Sequence, residues 1–172
     1  TVWDDHEIAN NAYMTGAQNH QPEEEGDYEV RKAAARQAYY EWMPIREQKQ
    51  LYRAFTFNKN VRLIMLDERL AGRTQQLESV DHPAFTSSDR GIIGKKQLAW
   101  FKKQLDKQPE GWNVVGNQVI FSELNFLGIR PGWNRNLDAW DGYPYEQGQV
   151  IGHLRDNQLP GVIFVTGDTH AS

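Results

Sequence analysis

The run Val61-Arg62-Leu63-Ile64-Met65-Leu66 constrains the fold more than any other stretch. It is apolar almost throughout, as expected of a strand buried on both faces. Residues 51–57 before it alternate and are rich in β-formers, and Asn58-Lys59-Asn60 between the two runs reads as a turn. The pair predicts a hairpin. Downstream the period changes. Residues 94–105 (GKKQLAWFKKQL) place Leu98, Phe101 and Leu105 on one face of a helix. Residues 112–123 carry an alternating apolar run that predicts one or two short strands, with a turn at Gly116-Asn117. Residues 145–157 predict a helix ending before Pro160, and residues 162–166 a last buried strand. Strands alternating with helices indicate an α/β layered fold. No repeat or linker divides the chain, so residues 1–172 are expected to lie within one domain.

The segment ahead of the hairpin is mixed. Residues 14–27 are polar, with Gly, Pro and Asn, and read as a loop. Residues 28 to about 41 are strong helix formers, and Pro44 ends the pattern. Val30, Ala34, Ala38 and Trp42 recur at four-residue spacing and predict the buried face of that helix. A short helical turn near residues 7–13, capped by Asp5 or Asn10, is weakened by Asn10-Asn11 and Gly16. Residues 71–93 form a long polar loop without periodicity, a length more often functional or mobile. Residues 124–142 form a second loop, rich in Trp, Gly and Asn.

Composition excludes several classes. Mean hydropathy is -0.74, yet aromatics make up 12%, too many for a disordered chain. A net charge of -4 without a strong basic block argues against a nucleic-acid-binding face. The absence of Cys removes disulfides, zinc knuckles and thiol nucleophiles. No stretch approaches the roughly 18 apolar residues of a membrane span, and no signal peptide is visible.

Ligand-type side chains concentrate at the two ends. The chain opens TVWDDHE and closes VTGDTHAS. In the closing motif Gly167 permits a tight exit from the strand, and Asp168 and His170, two apart, share a side of extended chain. A carboxylate and an imidazole there suit a metal at the carboxyl end of a strand, where ligands of open α/β sheets gather. A turn cap with an exposed His explains the same residues about equally well. In the opening motif, adjacent Asp4 and Asp5 repel unless a cation is near; a metal, an Arg or a Lys would serve. His6 beside them suits a ligand or a general acid. By itself this motif slightly favours an Asp cap with a solvated His. The two ends together favour one metal centre. Asp67 follows the apolar run directly, and Arg69 two residues on fits either an anion clamp or a buried structural ion pair. Asp138 and Asp141 are either further oxygen ligands or part of a packed aromatic turn. His20, His82 and His153 lack ligand-type neighbours at useful spacing and read as surface or structural.

Several of these motifs together resemble the PhoD-like alkaline phosphatase/phosphodiesterase family of metallophosphatases. They are WDDHE with Asn10-Asn11, RQAYYEWMPIR, LYRAFTFNKNVRLIMLDERLAGR, GKKQLAWFKKQL, WNVVGNQVIFSEL, DAWDGYP and VIFVTGDTHAS, in that order over nearly the whole length. The resemblance implies a metallophosphatase-like β-sheet core with flanking helices. It implies hydrolysis of phosphate mono- and diesters by a metal-activated hydroxide at a polynuclear centre of iron with calcium, other divalent metals being possible. It also implies a periplasmic or secreted parent protein. By similarity to the wider calcineurin-like enzymes, Asp5, Asp168 and His170 would be metal ligands and His6 the catalytic residue. Asp4 remains an alternative to Asp5. Arg69 would orient the phosphate ester substrate. Asp5 stands where those relatives have Asn, and Asp168 where they have His, which favours a harder metal than zinc.

Thr1-Val2-Trp3 reads as the end of a strand and residues 162–166 as a strand whose loop is cut at Ser172, so a piece of a larger chain is expected. The family's upstream Gly-Asp-x-x-Tyr motif is not among these residues, and the piece alone is expected to be nearly inactive. A rival reading is a non-catalytic carbohydrate- or protein-binding module, with Trp133 and Trp140 as a stacking platform.

Overall fold

The computed structural model describes residues 2–107, 110–123 and 135–167. Its centre is a four-stranded sheet in the order β1-β2-β3-β4. β1 (Arg53–Phe57) and β2 (Val61–Met65) form the expected antiparallel hairpin, with Ala54 opposite Ile64. The turn rests on Asn58 at φ 57, a left-handed conformation that Asn tolerates. β3 (Trp112–Asn117) runs parallel to β2, and β4 (Val162–Thr166) parallel to β3. Parallel neighbours need crossovers. The first crossover contains α3 (Gly94–Leu105) and the second α4 (Pro144–Asp156). The outcome is mixed α/β, as the rhythm of the sequence implied.

One core lies between the sheet and these two helices. Ile64, Leu66 and Val115 from the sheet, Phe101 and Leu105 from α3, and Val150 from α4 belong to it, with Trp140 and Tyr143 from the segment before α4. Phe164 of β4 stacks on Phe121 with ring centroids 4.0 Å apart. A second cluster joins the N-terminal segment to α2 (Tyr28–Trp42). Trp3 packs on Tyr39 at 5.5 Å, and Ile8, Ala12 and Leu51 close around them. α2 starts on Asp27, whose side chain accepts from the backbone N–H groups of Glu29 and Val30. A single turn, α1 (Pro22–Glu25), precedes it inside the expected loop.

Four expectations need correction. The Val30–Trp42 stripe of α2 faces solvent, with Val30 70% and Trp42 86% exposed. The buried side is carried by Tyr28, Ala35 and Tyr39, because aromatic rings remove more apolar area from water than alanines do. β3 passes straight through Gly116 rather than turning there; Met65 of the neighbouring strand lies where a Cβ on Gly116 would stand. β4 is not buried on both sides, since alternate residues are exposed. Val2 and Trp3 belong to no strand. The long 71–93 segment has neither helix nor strand, but it is tied at both ends. Thr74 N–H donates to Gly91 O at 2.9 Å, and Arg73, Arg90, Ile92 and Ile93 are buried.

Candidate active site

Because β2, β3 and β4 run parallel, their carboxyl ends share one edge of the sheet, the edge at which ligands gather in such sheets. β2 runs out there into Leu66, Asp67, Glu68 and Arg69, all buried. Asp67 Oδ1 accepts from Trp3 Nε1 at 3.3 Å and from the backbone N–H groups of Arg69 and Leu70. Burial pushes its carboxyl up, and these N–H groups pull it down. Gln97 of α3 brackets the same residue through its backbone, at 2.9 and 2.8 Å. Glu68 Oε2 accepts from the N–H groups of Gln118 and Val119 at 2.8 and 2.9 Å, and Oε1 from the Trp140 indole at 2.6 Å. Glu68 therefore staples the end of β2 to the chain leaving β3. Burial drives its carboxyl up to about 7 against those donors.

Arg69 is the hub. Its two terminal nitrogens bind Asp138 in a fork, 2.9 Å each, and Nε donates to Asp4 Oδ1 at 2.7 Å. Arg73, four residues further on, also bonds the Asp138 carboxylate and its carbonyl. Burial lowers the Arg69 guanidinium pKa, but Asp138, with Asp4 and Asp5, outweighs burial and holds it above its ordinary value. The side chain is fully buried. These contacts are those of the structural ion pair that was the alternative to an anion clamp. Asp138, read as a possible oxygen ligand, is the partner of both arginines.

The Asp4-Asp5-His6 turn hangs on this hub. Asp5 O accepts from the N–H groups of Ile8 and Ala9, and its Oδ2 from Asn11 N–H at 2.8 Å. Asn11 adopts φ 51 to make that bond. Asp5 is buried, with Oδ1 3.9 Å from Arg69 Nη2. His6 follows it with a side chain 77% exposed, its Nε2 3.8 Å from Asp5 Oδ2. The cation that relieves the Asp4–Asp5 repulsion is thus Arg69. Asp168 and His170 lie outside the described residues. Gly167, which leads to them, ends β4 at the same edge, two strands from β2, about 10 Å across. Among the described residues, no three His, Asp or Glu side chains gather as a metal site. The donor chemistry of the expected set fits an oxygen-seeking cation: Asp5 supplies a carboxylate held by a backbone N–H, and Asp168 and His170 would add a carboxylate and an imidazole.

Glu68 and Arg73 were missed by reading the sequence. Two signals pointed to them: a charged triplet directly after an apolar strand, and Arg69 and Arg73 four residues apart. Trp140 is fully buried and offers no ring face to a ligand; Trp133, the other half of the supposed platform, lies outside the described residues. His20 is buried against Tyr28, with centroids 5.1 Å apart, and is structural. No helix among the described residues is long and apolar enough to cross a membrane.

The family model for PhoD-like phosphatase matches residues 1–172. Alkaline phosphatase D of Bacillus subtilis (strain 168) is 36% identical over 181 residues, covering 99% of this chain and 30% of that protein. A solved structure titled "Structure of PhoD" superposes with a TM-score of 0.82 at 32% identity, covering 99% of this chain and 34% of the other. The chain thus spans about a third of the length of these relatives. A sheet with helices on one side and a buried charge hub at its strand ends, matched over the whole chain by this family's model, makes the chain a member of the PhoD-like phosphatase family.

Proposed function

We propose that these residues carry part of the catalytic centre of a phosphate-ester hydrolase acting on monoesters, diesters or both. The observation that supports it best is the pairing of a buried Asp5 with an exposed His6 on one turn, held to the strand-end hub by Arg69. Family membership supports the reaction class, and the relative's name, alkaline phosphatase D, supports the substrate class.

In this reading Asp5, Asp168 and His170 hold the metal centre, with iron and calcium the best match to an oxygen-rich set. When bound, such a centre activates water and neutralises charge on the phosphoryl oxygens. His6 reaches solvent, and its Nε2 lies 3.8 Å from Asp5 Oδ2. It would deliver a proton to the leaving alcohol oxygen, or hydrogen-bond the phosphoryl group. Arg69 positions Asp4 and Asp5 and does not touch substrate. The remainder of the centre would come from polypeptide corresponding to the rest of the relatives. The periplasmic or extracellular location expected from the resemblance belongs to the same reading.

The test is a full-length enzyme carrying these residues, assayed on p-nitrophenyl phosphate with elemental analysis alongside. His6→Ala should lower kcat by about 10²–10⁴-fold with metal content unchanged. Loss of metal in that variant would make His6 a ligand instead. A kcat unchanged by His6→Ala, or turnover by the isolated 172 residues equal to the full-length enzyme, would overturn the reading.

A further inference from the structure

Between α2, the chain entering β1 and the first turn of α3 lies a cavity of about 360 Å³. Four cationic side chains line it, Lys32, Arg36, Lys49 and Lys96, against two carboxylates, Glu29 and Asp67. The chain as a whole is acidic, with a net charge of -4, so this excess of positive charge is local. Both carboxylates are already engaged. Glu29 accepts from Lys32 Nζ at 2.6 Å, and Asp67 accepts from the Trp3 indole and from backbone N–H groups. The cations are less evenly matched. Arg36 donates to the backbone carbonyls of Gln48 and Lys49, neutral partners that leave its charge uncompensated. Its guanidinium is steadied over the Tyr40 ring, 5.7 Å from the centroid. Lys49 and Lys96 are exposed, and among the described residues neither has a carboxylate partner. Much of the remaining wall is apolar, with Leu51, Tyr52 and Leu70 in it.

We propose that this cavity binds a small organic anion, with a phosphate-like dianionic group on Lys49, Lys96 and Arg36 and an apolar or aromatic body against Leu51, Tyr52 and Leu70. An apolar wall with a few charged groups is the make-up of small-molecule sites. A recess lined by one sign of charge also raises the local concentration of the opposite ion. Three cations without a carboxylate of their own call for more than one negative charge, and a phosphate-like group supplies it on three acceptor oxygens. The volume lies at the small end of ligand pockets, which run from about 300 to 1,000 Å³, so the occupant is compact. Neither Asp5 nor His6 lines the cavity. It is therefore a second anion site, separate from the turn proposed for catalysis, and it uses none of the residues of that reading.

The probe is phenylphosphonate, whose carbon–phosphorus bond gives an ester hydrolase nothing to cleave. A full-length enzyme carrying these residues would be treated with acetic anhydride, and acetylation of each lysine followed by mass spectrometry during a phenylphosphonate titration. Lys103, exposed on α3 and outside the cavity, is the internal control. At about ten times the Kd read from the titration, acetylation of Lys49 and Lys96 should slow by about tenfold, in step with the unliganded fraction, while Lys103 is unchanged. Inorganic phosphate at the same concentration should protect them several-fold less, because it has no apolar body. Lys49→Glu should abolish protection at Lys96, and Lys49→Arg should keep it. Both are exposed-site changes that should leave the urea midpoint where it was. No protection of either lysine would overturn the proposal, even with hydrolysis inhibited, since the probe would then occupy the catalytic centre alone. Equal protection by inorganic phosphate would overturn it in favour of an unspecific basic patch, and slow acetylation of both lysines before any probe is added would overturn it in favour of a cavity filled by the protein's own polypeptide. The readout needs no turnover, so this proposal and the proposed reaction fail separately.

Discussion

Arg69 and His6 approach the same carboxylate from opposite environments. Arg69 Nη2 lies 3.9 Å from Asp5 Oδ1 in the interior, and His6 Nε2 lies 3.8 Å from Asp5 Oδ2 at the surface. The arginine is fixed on three sides, by a forked pair with Asp138, by Asp4, and by its own N–H on Asp67. The histidine is held by little beyond the turn that carries it. A group that must stay charged and still is buried among opposite charges. The proton-delivering role proposed for His6 requires the accessibility that its side chain has. Asp5 lies between the two, and Asp4 ties the same turn to Arg69 at 2.7 Å, so rigidity in the hub is passed to the turn that carries His6.

The largest expected effect breaks the rigid half. Arg69→Ala removes the cation shared by Asp4, Asp5 and Asp138, of which Asp138 keeps Arg73, and should cost about 3–5 kcal/mol, read as the urea midpoint at constant m-value. His6→Ala should leave that midpoint unchanged within about 0.5 kcal/mol, as surface substitutions do. Equal losses in the two variants would abolish the distinction between hub and turn.

The next effect sharpens the account of the hub through pH. The carboxyl of Glu68 is raised in the fold, from 4.5 to about 7, chiefly by burial. A raised folded value means that the native state binds the proton more tightly than the unfolded chain. The stability linked to Glu68 is therefore full below about 4.5 and is lost as pH rises through about 7. Relative to Glu68→Gln, the unsubstituted chain should lose up to about 3 kcal/mol between pH 4.5 and 8. Parallel stability profiles for the two would show that the N–H groups of Gln118, Val119 and Trp140 keep the carboxylate ionised throughout.

The smallest effect probes the joint between the regions. Trp3→Phe removes the indole N–H from buried Asp67 and keeps most of the ring packing on Tyr39. A loss of about 1–2 kcal/mol is expected, together with a further rise of the Asp67 carboxyl. Carbon-13 NMR titration of Asp67 would measure that rise, and an unmoved titration would show that Trp3 anchors the turn by packing alone.

Much of the architecture was legible in the chain. The hairpin over Asn58-Lys59-Asn60, the amphipathic α3 and the final strand follow from local period and turn residues, and the structure has each where expected. α2 shows where that reading stops. Its length was correct and its buried face was not, because a four-residue apolar spacing names a stripe without saying what packs on it. Trp3 decided the matter by drawing Tyr39 inward from 36 residues away. The candidate site divides similarly. Asp5 and His6 stood out as ligand and acid types, whereas Glu68 stayed hidden among neighbouring charges until its three N–H donors were seen around it.

By itself the sequence determined the order and type of most elements, the family motifs, and the kinds of side chain brought to the two ends. Those are properties of neighbours along the chain, set by dihedral preference and side-chain period. Only the tertiary structure decided that Arg69 faces Asp138 instead of solvent, that Trp140 is an anchor instead of a platform, and that the more apolar face of the sheet is the open one. The first two depend on residues that meet across 69 and 72 positions of chain, and such meetings are set by closure of the whole fold, which local pattern does not encode.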